Sequence, residues 1–297
     1  MRTDYLVPSP TRSSRRHKPA GTVLIALDSD GTVFDSMRPK HLEAFLPAFA
    51  ESFAPAQGEA AEAVWRFVNL ESRSRGVNRY RALSQCLRLL PGHPAVKKAD
   101  PAWKRVAASV DAWLASEPSP SRPALEKAAI GDPLLSSVLD WSVAVDRKVA
   151  AMPPARPFDG ALRAIPLLAG KGEVMVLTGA PEAAVRREWT EAGILGYASE
   201  VAGQERGPKS ALLAGKACCL AGGGRVLVVG DAMGDLDAAR GSGAAFFPVI
   251  PGREEACWDE LVEKGIERFV AGERSPSDRL LGDFLAALPV TPPWKKA

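Results

Sequence analysis

The chain has 297 residues, of which 46% are hydrophobic and 25% charged, and its formal net charge is +3. This composition is typical of a globular enzyme and excludes a collagen-like or wholly disordered chain. No run approaches the roughly 18 apolar residues of a membrane-spanning helix, so we expect no membrane partner. The length alone predicts about two domains.

The positive charge is unevenly distributed along the chain. Residues 1–20 hold five Lys/Arg and one Asp, residues 36–157 hold 17 Lys/Arg and 12 Asp/Glu, and the remainder is net negative. The basic residues are not interleaved with stacking aromatic residues, so we expect no nucleic-acid partner. The distribution favours an acidic, metal-binding body that faces a basic segment able to help hold an anion.

Residues 1–20 are polar, basic and rich in Pro and Ser. Because they lack the apolar segment of a secretory signal, we predict a disordered basic tail. Cysteines occur at positions 86, 218, 219 and 257 without a C-x-x-C spacing. This pattern indicates neither a disulfide framework nor a cysteine metal site, and it favours a reducing compartment and hence a cytoplasmic protein.

Four apolar runs predict β-strands, at residues 22–27, 173–177, 225–229 and 244–250. The first three lack polar alternation, which is typical of strands buried on both faces of a parallel sheet. Amphipathic stretches predict helices at residues 161–168, 181–192, 209–220 and 254–269. This alternation predicts a doubly wound, Rossmann-like α/β core, in which ligands bind at the carboxyl ends of the strands.

One long insertion interrupts the alternation. Residues 36–157 contain no buried-strand pattern, and helical periodicity recurs at residues 41–53, 60–70, 80–90, 102–114, 123–130 and 134–149. An insertion of this length is too long for a loop, so we predict an all-helical subdomain with its own core, to which we assign Trp65, Trp113 and Trp141. The Rossmann-like core then comprises residues 21–35 and 158–297.

Two aspartates follow the first predicted strand, in the segment Asp28-Ser29-Asp30-Gly31-Thr32. Residues two apart on an extended chain point the same way, so Asp28 and Asp30 can share one site. One carboxylate is suited to nucleophilic attack on phosphorus because it is ionised at neutral pH, and the other is placed to move a proton. The alternative is a pair of solvated aspartates or a helix cap.

Two further positions are suited to binding an anion. Thr178 and Gly179 follow the second predicted strand at the start of a helix, where a hydroxyl and free backbone N–H groups are available. Lys209 begins the helix before the third strand and can neutralise phosphoryl oxygens. The alternatives are a simple turn at the first position and a solvated lysine at the second.

Asp231 and Asp235 follow the third predicted strand, beside Gly230. Together with Asp28 and a backbone carbonyl, they would supply the oxygen ligands that Mg²⁺ takes in proteins. The alternative is that these aspartates cap the next helix at its positive end, the role that we expect for Asp237.

All of these features occur in one order, each at the end of a predicted strand or the start of a helix. In this order the sequence resembles the haloacid dehalogenase superfamily, whose four motifs match Asp28-Ser29-Asp30-Gly31-Thr32, Thr178, Lys209 and Gly230-Asp231 with Asp235. The insertion falls where that superfamily carries a helical cap. The resemblance implies Asp28 as nucleophile, Asp30 as general acid and base, Thr178 and Lys209 as phosphoryl ligands, and Asp28, the Asp30 carbonyl, Asp231 and Asp235 around Mg²⁺.

The residue two after the nucleophile separates the chemistries of that superfamily. Asp30 implies phosphoryl transfer from oxygen rather than dehalogenation or phosphonate cleavage. We therefore predict a Mg²⁺-dependent phosphatase that acts on a small phosphorylated metabolite through an aspartyl-phosphate. The alternatives are a phosphomutase of a sugar phosphate and a non-catalytic phosphometabolite-binding protein on the same fold.

The sequence departs from the superfamily pattern at two places. Ser29 replaces the usual apolar residue, and we expect its side chain to point away from the site. His41 falls eleven residues after Asp30, whereas the related sugar-phosphate enzymes carry a histidine ten residues after it. Lys40 resembles the Schiff-base lysine of phosphonate hydrolases, but the presence of Asp30 argues against that chemistry.

Residues 69–81 of the insertion carry four arginines and two asparagines around one glycine. Arginine is suited to bidentate contact with carboxylate or phosphate. We therefore expect Arg75, Asn78 or Arg79 to contact the substrate. The alternative is a solvated basic helix end.

Overall fold

The computed structural model describes residues 23–220, 224–273 and 278–295. The predicted disordered tail, residues 1–20, lies outside the described residues. Within these three ranges no helix is both long enough and apolar enough to cross a bilayer.

A five-stranded parallel sheet lies at the centre of the fold. Its strands are β1 (Val23–Leu27), β2 (Glu173–Leu177), β3 (Glu200–Ala202), β4 (Arg225–Gly230) and β5 (Ala245–Pro248). The strand order is β3-β2-β1-β4-β5, so the chain winds outward from β1 in both directions. Every residue of β1 is buried, as its unbroken apolar run predicts. The Rossmann-like fold class is therefore confirmed.

The edge strand β3 was not predicted from the sequence. It has three residues and pairs with β2 alone, with Val201 opposite Val176. A three-residue run that begins with Glu200 has too few apolar residues to produce a strand pattern. The predicted strand at residues 244–250 is also shorter in the structure, where β5 ends at Pro248.

Helices fill the insertion between β1 and β2. They are α1 (Met37–Pro39), α2 (Leu46–Phe53), α3 (Gly58–Leu70), α4 (Arg79–Leu89), α5 (Pro101–Ser116), α6 (Arg122–Ala128) and α7 (Pro133–Ala150). A π-helical turn, Lys40–Phe45, joins α1 to α2, so the first helical segment begins at Met37 rather than at residue 41. We call residues 36–157 the cap.

The remaining helices surround the sheet. They are α8 (Asp159–Lys171), α9 (Glu182–Glu191), α10 (Lys209–Cys219), α11 (Met233–Ser242), α12 (Glu254–Glu260), α13 (Ile266–Ala271) and α14 (Asp278–Ala287). The helix predicted at residues 254–269 is α12 and α13 joined by a π-helical turn, Leu261–Gly265. Helix α14 lies in a segment to which the sequence pattern assigned no element.

The cap and the sheet have separate hydrophobic cores. One buried cluster surrounds the sheet and the other lies among the cap helices. Trp65 and Trp141 are fully buried in the cap cluster and Trp113 is 7% exposed, which confirms their assignment to the core. These clusters support our proposed division of the chain at residues 36 and 157. The C-terminal segment departs from it at Trp294, which packs against the cap cluster beside Phe67 and His93.

Two paired backbone segments carry the chain into the cap and out of it. The amide of Asp35 donates to the carbonyl of Arg156 at 2.8 Å, and the amide of Phe158 donates to the carbonyl of Val33 at 2.9 Å. The cap is therefore tethered directly beside the carboxyl end of β1, where the aspartate motif lies.

Ser29 connects the loop after β1 to a helix of the core. Its fully buried hydroxyl accepts a hydrogen bond from Nε1 of Trp189 on α9 at 3.0 Å. The Trp189 ring also packs against Phe34, with ring centroids 6.3 Å apart. The serine that replaces an apolar residue here is thus matched by a buried donor, which fixes the loop after β1 to the helix behind it.

We expect Trp189→Phe to lower the free energy of unfolding by about 1–2 kcal/mol, because it leaves the buried Ser29 hydroxyl without its donor. Ser29→Ala should cost about 1 kcal/mol, and the double variant should cost less than the sum. Urea denaturation of the four proteins measures this coupling. Strictly additive effects would show that the hydrogen bond contributes nothing to stability.

Candidate active site

The loop after β1 turns sharply beneath the cap. The amide of Val33 donates to the carbonyl of Ser29 at 3.0 Å, and Gly31 has a φ of 78°. A Cβ atom on Gly31 would lie 2.3 Å from Oδ2 of Asp231 and 2.7 Å from Nη2 of Arg75. Glycine is therefore required here both for the left-handed backbone and for the close approach of the two charged groups.

Three buried carboxylates meet at the carboxyl ends of β1 and β4. Oxygen atoms of Asp28, Asp231 and Asp235 all lie within 4.8 Å of one another. The two strands are neighbours, with Leu27 opposite Val229, so the residues that follow them are brought to one place. A buried cluster of carboxylate oxygens has the donor chemistry that a hard divalent cation requires. These residues therefore fit the predicted Mg²⁺ site.

Lys209, the first residue of α10, connects the nucleophile candidate to this cluster. Its Nζ donates to Oδ1 of Asp28 at 2.6 Å and to Oδ1 of Asp235 at 2.7 Å. Burial lowers the pKa of Lys209, but the carboxylates of Asp235 and Asp28 outweigh burial and raise that pKa above its ordinary value. Lys209 is therefore a fixed positive charge beside Asp28.

The carboxylates are not fully compensated by the side chains around them. Burial raises the pKa of Asp28 well above its ordinary value; Lys209 opposes this rise, and Asp235 and Asp231 add to it. Burial likewise raises the pKa of Asp231, with Arg75 opposing the rise. A divalent cation among these oxygens would stabilise their ionised forms, which is further reason that the site fits one.

Asp30 is held by residues at the start of the cap. Ser36 Oγ donates to Oδ1 of Asp30, and Lys40 Nζ donates to the same oxygen at 2.6 Å. Lys40 also donates to Oε1 of Glu188 on α9 at 3.1 Å. Burial raises the pKa of Asp30, but Lys40 and the hydrogen bonds from Lys40 and Ser36 outweigh burial and bring that pKa below its ordinary value.

Glu188 and Ser36 are not among the site residues predicted from the sequence. Glu188 is one of several charged residues on α9 and belongs to no motif. In the structure it is buried and pairs with Lys40. The sequence pattern argues against Schiff-base chemistry at Lys40 because of Asp30, but it did not predict that these two side chains form an ion pair. Such pairings join residues far apart in the chain, so no local pattern could indicate them.

Thr178 and Gly179 follow β2, the neighbour of β1 on the other side. Thr178 is buried, and its Oγ1 accepts the amide of Ala180 at 3.1 Å. Gly179 is exposed, and a Cβ atom there would meet no atom within 4 Å. The turn before α9 is thus at the predicted edge of the sheet.

The three cap residues predicted to contact the substrate have different environments. Arg75 lies in the carboxylate cluster, where its Nε donates to Oδ2 of Asp231 at 2.6 Å. Asn78 caps α4 by accepting the amide of Tyr80 at 3.0 Å, and it donates to the carbonyl of Pro120 at 3.0 Å. Both polar ends of Asn78 thus have partners within the cap, and its contact with substrate stays a prediction.

Arg79 also has its partners within the cap. Its Nη1 donates to Oδ1 of Asp146 on α7 at 2.6 Å, and its guanidinium lies over the ring of Phe45, 5.1 Å from the centroid. These contacts join α4 to α7 and to the π-helical turn. These contacts give the Arg79 side chain a structural role within the cap. Its contact with substrate stays a prediction.

Comparison with known proteins identifies a family. A sequence model of haloacid dehalogenase-like hydrolases matches residues 22–243. No curated protein matches the chain by sequence.

Several solved structures are similar in fold. A predicted phosphoglycolate phosphatase from Haemophilus somnus is 17% identical, with 76% of this chain and 84% of that chain covered and a TM-score of 0.46. A haloacid dehalogenase-like family hydrolase from Streptococcus pneumoniae is 14% identical, with 80% and 91% covered and a TM-score of 0.43. A HAD-superfamily hydrolase of subfamily IA from Geobacter sulfurreducens is 18% identical, with 77% and 87% covered and a TM-score of 0.36.

His41 lies beside the site in an aromatic part of the cap. Its ring stacks on Phe45 with centroids 4.9 Å apart, and its buried Nδ1 has no hydrogen-bond partner among the described residues. Burial lowers the pKa of His41 to about 3, with the positive charges of Arg75, Lys40 and Arg79 lowering it and Asp30 opposing them. His41 is therefore neutral in the folded protein at physiological pH.

We expect this histidine to make the fold sensitive to acid. In the unfolded chain it titrates near its ordinary pKa of 6.5, so between that pH and about 3 the unfolded state binds more protons and stability falls as pH falls. His41→Phe should reduce the loss of stability between about pH 7.5 and about pH 5.5 by about 1 kcal/mol. Urea denaturation at both pH values measures this.

The matched control is Phe53→Leu, because Phe53 is a buried ring of the cap core without a titratable group and its replacement should lower stability equally at both pH values. An unchanged pH dependence in His41→Phe would contradict the assignment of a neutral, unpartnered ring.

Proposed function

This chain belongs to the haloacid dehalogenase-like hydrolase family, and we propose that it is a Mg²⁺-dependent phosphatase of a small phosphorylated metabolite. One observation carries the proposal. Asp28 is buried at the carboxyl end of the central strand with Lys209 on one of its oxygens and two further carboxylates within 4.8 Å. That arrangement supports a nucleophilic carboxylate facing a doubly negative phosphoryl group. Lys209 on one side and a cation held by the carboxylates on the other can stabilise the negative charge of that group.

The proposed reaction has two steps. An oxygen of Asp28 attacks phosphorus, forming an aspartyl-phosphate as the bond from phosphorus to the leaving oxygen breaks, and Asp30 protonates that oxygen. Water then attacks phosphorus, the bond to Asp28 breaks, and Asp30 takes the proton of the water. The products are an alcohol and inorganic phosphate, and both aspartates return to their starting forms.

The contacts of Asp30 support its second role directly. A carboxylate that accepts hydrogen bonds from Ser36 and Lys40 is ionised and suited to act as a base. Its first role, as an acid, requires a proton, which Lys40 at 2.6 Å opposes. Since both partners lie at the start of the cap, we propose that movement of this segment on substrate binding releases Asp30 for proton donation.

The phosphoryl group would be held by residues from two segments, the turn after β2 and the start of α10. We assign Lys209, Thr178 and the backbone of Gly179 to its non-bridging oxygens, as the family motifs imply. Asp28, Asp231, Asp235 and the Asp30 carbonyl would hold Mg²⁺, which when bound supplies positive charge to the phosphoryl oxygens. Of the cap residues, Arg75 is retained as a proposed substrate contact because its guanidinium lies within this group of charges.

We expect Asp28→Asn to lower phosphate release by at least about a thousandfold, because a carboxamide cannot replace the nucleophilic carboxylate. The measurement is phosphate release from an aryl phosphate and from a panel of metabolite phosphates, with Mg²⁺ and with chelator. Asp35→Asn is the control, since that carboxylate is exposed and lies seven residues further along the chain.

Three outcomes would contradict the proposal. Substantial activity in Asp28→Asn would remove the nucleophile assignment. An isomerised sugar phosphate in place of free phosphate would indicate a mutase. Binding without turnover by the unaltered chain would indicate a phosphometabolite-binding protein.

Lys209→Met should lower kcat by about 10²–10³-fold, because the buried charge beside the phosphoryl group is lost. Lys216→Met on the same helix removes an equal charge that pairs with the half-buried Glu200, and it should leave kcat within about twofold. Steady-state kinetics of both variants measure the difference. Equal losses in the two variants would mean that Lys209 acts through the stability of α10.

A further inference from the structure

A buried ion pair joins the cap to the carboxylate cluster. Arg75 Nε lies 2.6 Å from Oδ2 of Asp231, and the two side chains are 5% and 3% exposed. Arg75 Nη1 also donates to the carbonyl of Leu70 at the end of α3, at 3.2 Å. The guanidinium thus enters the core from the loop between α3 and α4, residues 71–78, and pairs with a residue that we assign to the cation.

Two glycines make room for this pairing. A Cβ atom on Gly31 would lie 2.7 Å from Nη2 of Arg75. Gly76 has a φ of 75°, and a Cβ atom there would lie 2.8 Å from Cβ of Ala232. The loop therefore presses against the residue that follows Asp231, at a distance that no other side chain at position 76 would allow.

The carboxylate of Asp231 cannot bind the guanidinium of Arg75 and a divalent cation at the same time. Three carboxylates are faced by two cationic side chains, Lys209 and Arg75. The two oxygens of Asp231 already accept from Arg75 and, at 3.1 Å, from the hydroxyl of Thr32. A divalent cation on the same carboxylate would lie within a few ångströms of the guanidinium, and in a buried site the two would repel strongly.

We propose that Arg75 is a positioning residue that acts on the cation through Asp231, holding this carboxylate in the metal-free protein and releasing it when a divalent cation binds. Metal binding and release of the cap loop 71–78 are then coupled. The coupling is reciprocal, so a loop that cannot hold Asp231 leaves a tighter metal site. This proposal rests on the cation site of the proposed function.

The test is cation affinity of the full-length, metal-free chain, without substrate. Arg75→Met should lower the dissociation constant for Mg²⁺ by calorimetry, and for Mn²⁺ by electron paramagnetic resonance, at least about fivefold. Arg73→Met is the matched control, because this arginine of the same loop is exposed. It should leave both constants within about twofold. Unchanged or weaker binding in Arg75→Met overturns the proposal.

A second variant displaces the loop without removing its charge. Gly76→Ala should also tighten binding, because the added methyl group pushes the loop off Ala232 and draws Arg75 away. In the unaltered chain, Mg²⁺ should accelerate hydrogen exchange at the amides of Arg75 and Val77, which donate to the carbonyls of Ser72 and Ser74. Slower exchange with Mg²⁺ overturns the proposal even if Arg75→Met fails to fold.

Binding and turnover separate this proposal from the proposed function. A fivefold tighter site in a protein that hydrolyses no phosphoester leaves the coupling standing and removes the phosphatase. Rapid hydrolysis by the unaltered chain, together with equal cation affinity in the unaltered chain and Arg75→Met, leaves the phosphatase standing and removes the coupling. No binding of either cation to any of these proteins removes the cation site and the coupling together.

Discussion

The buried negative charge at the carboxyl ends of β1 and β4 is the constraint on which the rest of the site depends. Asp28, Asp231 and Asp235 lie within 4.8 Å of one another and are almost inaccessible to water. Carboxylates in such a place are strongly destabilised unless cations compensate them. The fold supplies Lys209 from α10 and Arg75 from the cap, and the remaining negative charge favours a divalent cation.

The same electrostatics tie the cap to the core. Arg75 pairs with Asp231, and Lys40 joins Asp30 to Glu188, so ion pairs connect the cap to two aspartate loops and to α9. The buried hydrophobic clusters of cap and core are separate, and a movement of the cap that separates these ion pairs would change the partners of Asp231 and Asp30. This links cap position to the charge state of the site.

Much of the fold could be predicted because its signals are local. The buried run at β1 and the periodicity of the cap helices follow from apolar spacing alone. The edge strand β3 could not be predicted, since three residues beginning with Glu200 become a strand only by pairing with β2. Asn78 illustrates the same limit in the site. Its position in a basic segment predicts substrate binding, but that position could not reveal its bonds to Tyr80 and Pro120, which join two parts of the cap.

The sequence by itself determined the family and the order of the motif residues, because Asp28, Thr178, Lys209 and Asp231 each follow a strand or begin a helix, and parallel strands bring such positions to one edge. Tertiary structure decided which charges pair. Arg75 and Asp231 are 156 residues apart in the chain, and Lys40 and Glu188 are 148 residues apart. Each pair forms only because of how the cap lies on the core. Spacing along a chain carries no information about such contacts, since ion pairing is set by distance in space and by burial.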